Sequence, residues 1–318
     1  MPPKFLHEIP EFPDLLSILE RETNIVAGLI EKDYWIMHSL YGLQQLNFDF
    51  EMKGGTSLSK GFGIIQRFSE DIDIQIHPPA ELNVVSDPKK KNKEAVDSRK
   101  NFYDWLNDNI QIPGITAVTR DTTFDNLDTY NSGGIRLLYP TVTSTVPGMK
   151  EGILLEVGFD TVTPNEPVTI SSWAFDRAYS TSGIDIIDNR AVDVKCYHPG
   201  YTFVEKLQTI VTKFRREQES GKENPNLMRQ YYDVFSLLAD QRVNAFIGTE
   251  AYHAHKAARF LGKDKETVLQ TCEALLLSDP DKRKRFIERY EATQALYYKG
   301  QPPFEDLLAR IHEHLHRL

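Results

Sequence analysis

Between Met52 and Ile76 the chain reads Met-Lys-Gly-Gly-Thr-Ser-Leu-Ser-Lys-Gly-Phe and then, from Arg67, Arg-Phe-Ser-Glu-Asp-Ile-Asp-Ile-Gln-Ile. The second half of this stretch fits a half-buried strand and little else. Asp71, Asp73 and Gln75 alternate with Ile72, Ile74 and Ile76, and successive strand side chains point to opposite faces. The isoleucines can enter a core while both carboxylates share the other face. Two acids that close repel each other, and a divalent cation is the usual reason to keep them together. Upstream, Gly54 and Gly55 let the backbone approach a ligand, and the helix start that follows offers N–H groups to phosphate. The stretch therefore predicts a metal and a nucleotide phosphate.

At 318 residues the chain can bury a sizeable core, and two domains, or one with a large appendage, are expected. Its 40% hydrophobic and 26% charged residues describe an ordinary globular protein. A net charge of −9 argues against a generally basic, nucleic-acid-coating protein but leaves room for a local basic groove. Cys196 and Cys272 form no metal-ligand pattern, so a reduced, cytoplasmic protein is expected. No apolar run is long enough to span a bilayer and no signal peptide follows Met1, so no membrane partner is expected.

In chain order, residues 1–12 read as an extended arm and 14–46 as helical. Lys32 and Asp33 are expected as a solvated pair at a helix edge, with a contact near the active site as the alternative. A strand over 48–52 leads into the glycine turn, and a helix is expected over 57–66 before the acidic strand. The run Lys89-Lys90-Lys91-Asn92-Lys93 is expected in a solvated, mobile loop. A contact with the backbone of an RNA or DNA substrate is the minority reading. Further strands are expected over 115–119, 134–139, 152–160 and 191–196, with a helix over 95–106. In the strand over 152–160, Glu156 falls in mid-strand, where a charge needs a partner or a metal.

From Pro199 onward the chain reads as almost wholly helical. Thr202 and Glu205 form a capping box ahead of the stripe Phe203, Leu207, Ile210, Val211 and Phe214. A second helix starts near Asn226, and others are expected over 250–261, 264–277, 280–299 and 303–317. The expected fold class is α+β, a small mixed sheet over 1–198 followed by a mostly helical domain over 199–318.

Gly54-Gly55-Thr56-Ser57-Leu58-Ser59-Lys60 does not have the order of a P-loop, which needs Gly-Lys-Ser/Thr at the helix start; here Lys60 precedes Gly61. A glycine turn followed by Asp-x-Asp on the next strand instead resembles the DNA polymerase beta type of nucleotidyltransferase. More narrowly, Lys53-Gly-Gly-Thr-Ser-Leu-Ser-Lys60 with Arg67-Phe-Ser-Glu-Asp-Ile-Asp73 resembles the AbiEii/AbiGii-type nucleotidyltransferase toxins of bacterial toxin–antitoxin and abortive-infection (antiphage defence) systems. Glu205-Lys206-Leu207 and Arg229-x-x-x-Asp233-Val-Phe are similar to later motifs of that family.

The resemblance implies a nucleotidyltransferase core whose helical domain completes the nucleotide and acceptor cleft. It implies that Gly54, Gly55, Thr56 and Ser57 hold nucleotide phosphates and that Asp71 and Asp73 bind Mg²⁺ (or Mn²⁺). Glu156 would be the third acid of the metal set, activating the attacking hydroxyl. Lys206 would neutralise triphosphate charge, Asp233 would act in the second half of the cleft, and Arg67 and Lys60 would reach phosphate. The implied substrate is an NTP, the acceptor RNA (tRNA) or a protein, and the partner a cognate antitoxin.

Plainer readings stand beside these. Glu156 could pair with a base, Lys206 could be a snorkelling surface residue, and Asp233 could pair with Arg229 one turn back. Functionally, the alternatives are phosphotransfer or phosphodiester hydrolysis at the same site, or a non-catalytic NTP-binding module.

Overall fold

The computed structural model describes residues 2–146, 148–181 and 185–318. The chain divides into two compact units. One comprises Met1–Phe62 and Ser69–Tyr197; the other comprises Gly63–Phe68 and His198–Leu318. The fold class is α+β, a mixed sheet in the first unit and helices in the second.

In the first unit, after the helices α1 (Phe12–Thr23) and α2 (Ala27–Gln45), strand β1 (Phe50–Lys53) opens the sheet. The single turn α3 (Gly54–Thr56) and a wide π-type turn over Ser57–Gly61 follow, then β2 (Asp71–Ile76) and α4 (Lys93–Asn109). The unit continues with β3 (Ala117–Asp121), β4 (Ser132–Leu138), β5 (Ile153–Gly158) and β6 (Asn165–Ile170). Helix α5 (Trp173–Tyr179) and strand β7 (Ala191–Tyr197) close it. Among the described residues the seven strands form one sheet in the order β3-β4-β5-β2-β1-β7-β6. β2 lies at its centre, antiparallel to β1 and parallel to β5.

β2 shows the alternation its sequence demands, with Ile72, Ile74 and Ile76 fully buried and the acids between them half-exposed. Helix α2 is buried nearly all round rather than along one stripe, as befits a helix packed on β5, β7 and α5. That burial reaches Lys32 and Asp33, so neither is the solvated residue expected at a helix edge. Residues 1–12 are not simply an extended arm, because Leu6–Glu8 form a 3₁₀ turn and Lys4 bridges Ile186.

Among the described residues, one strand and two α-helices were not expected: β6, α5 and, in the second unit, α8 (Gln241–Phe246). β6 is an outer strand beginning Asn165-Glu-Pro-Val, with half-exposed or exposed positions up to Ile170. A prolyl residue is tolerated at an edge, where its missing N–H need not pair. The helix expected over 57–66 stops at Gly61, and the following Gly63–Phe68 belongs with the helical unit.

In the second unit, α6 (Pro199–Ser220) begins three residues ahead of the expected capping box. Pro199 takes the first helical position, where its fixed φ is suitable and its lost N–H would be unpaired anyway. The His198 ring caps the Gly200 N–H. Thr202 therefore lies inside the helix, while the stripe from Phe203 to Phe214 is buried as the spacing predicts. α6 ends at Gly221 in a left-handed conformation. It packs on α7 (Leu227–Leu237), α8, α9 (Glu250–Arg259) and α10 (Glu273–Leu276). The helix expected over 264–277 is broken into 3₁₀ turns at Gly262–Asp264 and Leu269–Thr271, irregular backbone between them, and the short α10. α11 (Pro280–Glu291) is shorter than expected, and α12 (Phe304–His314) closes the unit. No helix is long and apolar enough to cross a membrane among the described residues.

Candidate active site

Register brings the first unit's chemistry together. In the β1–β2 ladder Lys53 is opposite Asp73, and in the β2–β5 ladder Asp73 is opposite Glu156. Opposed residues of a ladder share a face, so Lys53, Asp73 and Glu156 stand abreast. Asp71 lies two residues along that same face of β2. Gly54 sits against this row with φ +74°, and a Cβ there would lie 1.8 Å from Asp73 Oδ2. Only glycine supplies both the left-handed backbone and the missing atom.

The hydroxyls of the turn face inward. Thr56 Oγ1 donates to the Asp71 carbonyl. Ser57 is buried against the Cys196 thiol, whose pKa burial pushes up to about 12. The resemblance assigned phosphate contacts to Thr56 and Ser57. Their side chains instead turn to the sheet, Thr56 to β2 and Ser57 to β7, and what the turn leaves for a ligand is backbone. Gly55 is buried with them, and Gly54 is only half-buried.

Lys150 extends its Nζ to within 2.5 Å of Asp71 Oδ2, and Lys53 Nζ lies 2.9 Å from Asp160 Oδ2. A cavity of about 320 Å³ opens here, lined by Lys53, Asp73, Glu156, Asp160, Pro88 and Asn131 among others. A larger hollow of about 590 Å³ between Asn107 and Val118 gathers no such chemistry, Asp108 being its one acid.

Burial, then the charges of Asp73 and Asp71, raise the Glu156 pKa from 4.5 to about 7. A carboxyl whose folded pKa lies above its unfolded value holds its proton more tightly when folded. It therefore takes stability away as pH rises from about 4.5 through about 7. Glu156→Gln should relieve that cost. Without divalent cations, the variant is expected to exceed the parent by about 1–3 kcal/mol at pH 8, with the gain gone near pH 4, below the unfolded pKa. Calorimetric unfolding at the two pH values checks this, and a pH-independent difference would contradict it.

These residues fit a divalent cation. Asp71 Oδ1 is buried without a hydrogen-bond partner, and Asp71, Asp73 and Glu156 are the hard oxygen donors such ions take. Among the described residues no three His, Cys, Asp or Glu side chains converge into a ready-made cage. Magnesium commonly uses one or two carboxylates and fills its shell from water and substrate phosphates.

Lys60 and Arg67, two of the expected phosphate contacts, are engaged elsewhere. Lys60 Nζ lies 2.6 Å from Asp33 Oδ1, and the Trp173 N–H donates to the other oxygen at 2.9 Å. Asp33 is fully buried, and burial raises its pKa against the pull of Lys60. The neighbouring Lys32 is held by Glu70 at 3.0 Å and by the Lys150 carbonyl at 2.6 Å. Glu70 also accepts the Lys150 N–H at 3.0 Å. Lys32 and Glu70 thereby fix the backbone from which Lys150 reaches Asp71.

In the second unit, Arg67 grips Asp233 with two nitrogens, at 2.7 and 2.8 Å, and Lys206 adds a third contact at 3.0 Å. Asp233 is fully buried. Burial alone would raise its pKa, but Arg67 and Lys206 outweigh it and hold the carboxyl below the usual range. The partners of Asp233 are thus Arg67 and Lys206, and Lys206 is neither solvated nor snorkelling. Arg67 is correspondingly committed to a carboxylate rather than free for a phosphate.

Lys150 and Lys53 were not anticipated as neighbours of the acids, whereas alternation along the strand over 152–160 already put Asp160 on the face of Glu156. Lys53 had a signal, because a β1–β2 hairpin puts it opposite Asp73. Lys150 had none, being 79 positions from Asp71.

The family described as "Nucleotidyl transferase AbiEii toxin, Type IV TA system" matches residues 38–310 of this chain. No curated protein matches it. Among solved structures, the chain is similar to the crystal structure of an antigenic nucleotidyltransferase-like protein from Paracoccidioides brasiliensis, with 15% identity and a TM-score of 0.36. That likeness covers 80% of this chain and 92% of the other.

Proposed function

The chain belongs to the AbiEii nucleotidyltransferase toxin family of type IV toxin–antitoxin systems, and from that premise we propose that it transfers a nucleoside monophosphate from an NTP to RNA, tRNA foremost. The observation that carries the reading is the register that sets Asp73 beside Glu156, with Gly54 closed against Asp73. The acceptor hydroxyl attacks the α-phosphorus, the bond to the β-phosphate oxygen breaks, and pyrophosphate leaves with the electron pair.

Asp71 and Asp73 would hold Mg²⁺ or Mn²⁺, with Glu156 the third acid. Such ions supply charge stabilisation on the attacking and leaving oxygens. Glu156, with its pKa near 7, is suited to take the proton of the attacking hydroxyl, because a base poised near the working pH is most effective. Lys150 and Lys53 are the cations that face the acids. The backbone of Gly54 and Gly55 is assigned to the nucleotide phosphates. Lys206, steadied by Asp233, is assigned to the triphosphate charge. A cognate antitoxin is part of this reading, as is action in the cytoplasm, where NTP and RNA are at hand.

The test incubates the protein with each α-labelled NTP, Mg²⁺ and total tRNA, with γ-labelled NTP in parallel. Incorporation of α-label, lost in Asp71→Ala, is expected. Label from the γ-position alone would turn the reading into phosphotransfer, and no incorporation of either label would remove it.

A further inference from the structure

The lysine run outside the acidic row combines exposed side chains with a fixed backbone. Ser86–Glu94 are exposed throughout, and Lys89, Lys90, Lys91 and Lys93 fall within five positions of a chain whose net charge is −9. Lys93 pairs with Asp97, while the ammonium groups of Lys89, Lys90 and Lys91 meet no carboxylate among the described residues, the Lys89 backbone N–H alone donating to Asp87 Oδ1 at 2.9 Å. The loop was expected to be mobile. Instead, Arg99, fully buried on α4, donates to the carbonyls of Val85 at 3.0 Å, Asp87 at 3.3 Å and Lys90 at 2.9 Å. Its Nε reaches Thr129 O at 2.8 Å. Asn131 Nδ2 holds Pro88 O at 3.1 Å, and the Val85 N–H donates to Ser98 Oγ at 3.1 Å.

A buried guanidinium spent on loop carbonyls makes the loop a preorganised surface, which lowers the ordering cost of binding. Its position gives that surface a direction. Pro88, immediately before the lysines, lines the same cavity as Asp73 and Glu156. An extended polyanion lying along Lys89–Lys91 therefore has one end at the acids.

We infer that the Arg99-braced Lys89-Lys90-Lys91 loop is the docking surface for the phosphodiester backbone of an RNA acceptor, delivering its end to the Asp73–Glu156 cavity. The inference rests on the nucleotidyl-transfer reading for what happens at that end, but not for the binding itself. Ammonium groups on phosphates displace condensed counterions, so the contact carries a definite salt signature.

The test compares the full chain with K89Q/K90Q/K91Q and K89R/K90R/K91R, titrating fluorescent tRNA, a single-stranded RNA and duplex DNA between about 50 and 200 mM salt. Far-UV circular dichroism and the unfolding temperature establish that the variants fold. With glutamines, RNA affinity should fall about tenfold or more, and the slope of log affinity against log salt should lessen by about 2. The arginine variant should keep both. RNA affinity and slope unchanged in the glutamine variant would overturn the inference. So would an NTP affinity that falls as far as that for RNA, which would make the loop a nucleotide site. Preference for duplex DNA, or loss of a bound antitoxin with RNA binding intact, would overturn it as well. Calorimetry of NTP with Mn²⁺ on the parent chain reads the nucleotide site separately. Its failure alongside salt-dependent RNA binding would count against the catalytic reading and leave the loop standing.

Discussion

Asp73→Asn is expected to lower the rate of nucleotidyl transfer roughly 10²-fold or more, the scale seen when one electrostatic contact to a developing charge is removed. Asp73 occupies the middle of the row on β2, opposite both Lys53 and Glu156 and closed against Gly54. The carboxamide keeps the shape and discards the charge. Because Asp73 is one of the charges that raise the Glu156 pKa, the metal-free variant should unfold no earlier than the parent at pH 8. Activity and stability are thus expected to move apart, which marks a functional residue rather than a structural one. Single-turnover transfer assays and calorimetry together check this, and a variant within threefold of the parent rate would sink the assignment. Gly54→Ala should reach the same loss by another route, with a fall in stability added. Its Cβ would occupy the Asp73 carboxylate position, and its φ of +74° is costly for alanine.

Asp233→Ala is expected to produce the largest loss of stability, about 3–5 kcal/mol, because it leaves a buried guanidinium without its counter-charge. Arg67 is 4% exposed and its bidentate partner is fully buried. The consequence extends along Gly63–Phe68. In this segment Gln66 N–H donates to the Tyr232 hydroxyl, Arg67 bridges Tyr297, and Phe68 N–H donates to Leu296 O. The unfolding transition of the second unit should fall by about 10 °C. Arg67→Met and Lys206→Met with Asp233→Leu should recover much of the loss, since apolar side chains in place of the acid and both of its cations remove the desolvation costs together. The acid limb has a fixed sign as well. Asp233 titrates below its unfolded value, so its contribution is full above about pH 4 and is lost as pH falls through the folded pKa. Chemical denaturation of the single and triple variants measures the coupling directly. A cost below about 1 kcal/mol would show the pair to be no better than a surface ion pair.

Much of the architecture was legible because it is written in short-range periodicity. Alternation over Asp71–Ile76 and Ile153–Gly158 specified two strands and the face each acid takes. The three- and four-residue spacing of Phe203, Leu207, Ile210 and Phe214 specified the buried side of α6. β6 was hidden because an outer strand with an internal proline loses the alternation that reveals a strand. α5 and α8, at seven and six residues, are too short to show a period.

The partners of buried charges lay beyond what any local pattern carries. Lys32 and Asp33 looked like a solvated pair, and only their partners Glu70, Lys60 and Trp173 explain charges in the interior of α2. Arg67 and Asp233 are 166 positions apart, and Lys150 and Asp71 are 79 apart. Arg99 gave no sign in the sequence of being a brace, because its acceptors are backbone carbonyls that every residue possesses. By itself the sequence determined the row of acids, the glycine turn and the helical character of the second unit, since each follows from the stereochemistry of neighbouring residues. Which cation meets which carboxylate, and so which charges are free to meet a ligand, was decided only by tertiary structure. A buried charge is tolerable only with a partner, and long-range packing is what brings the partner.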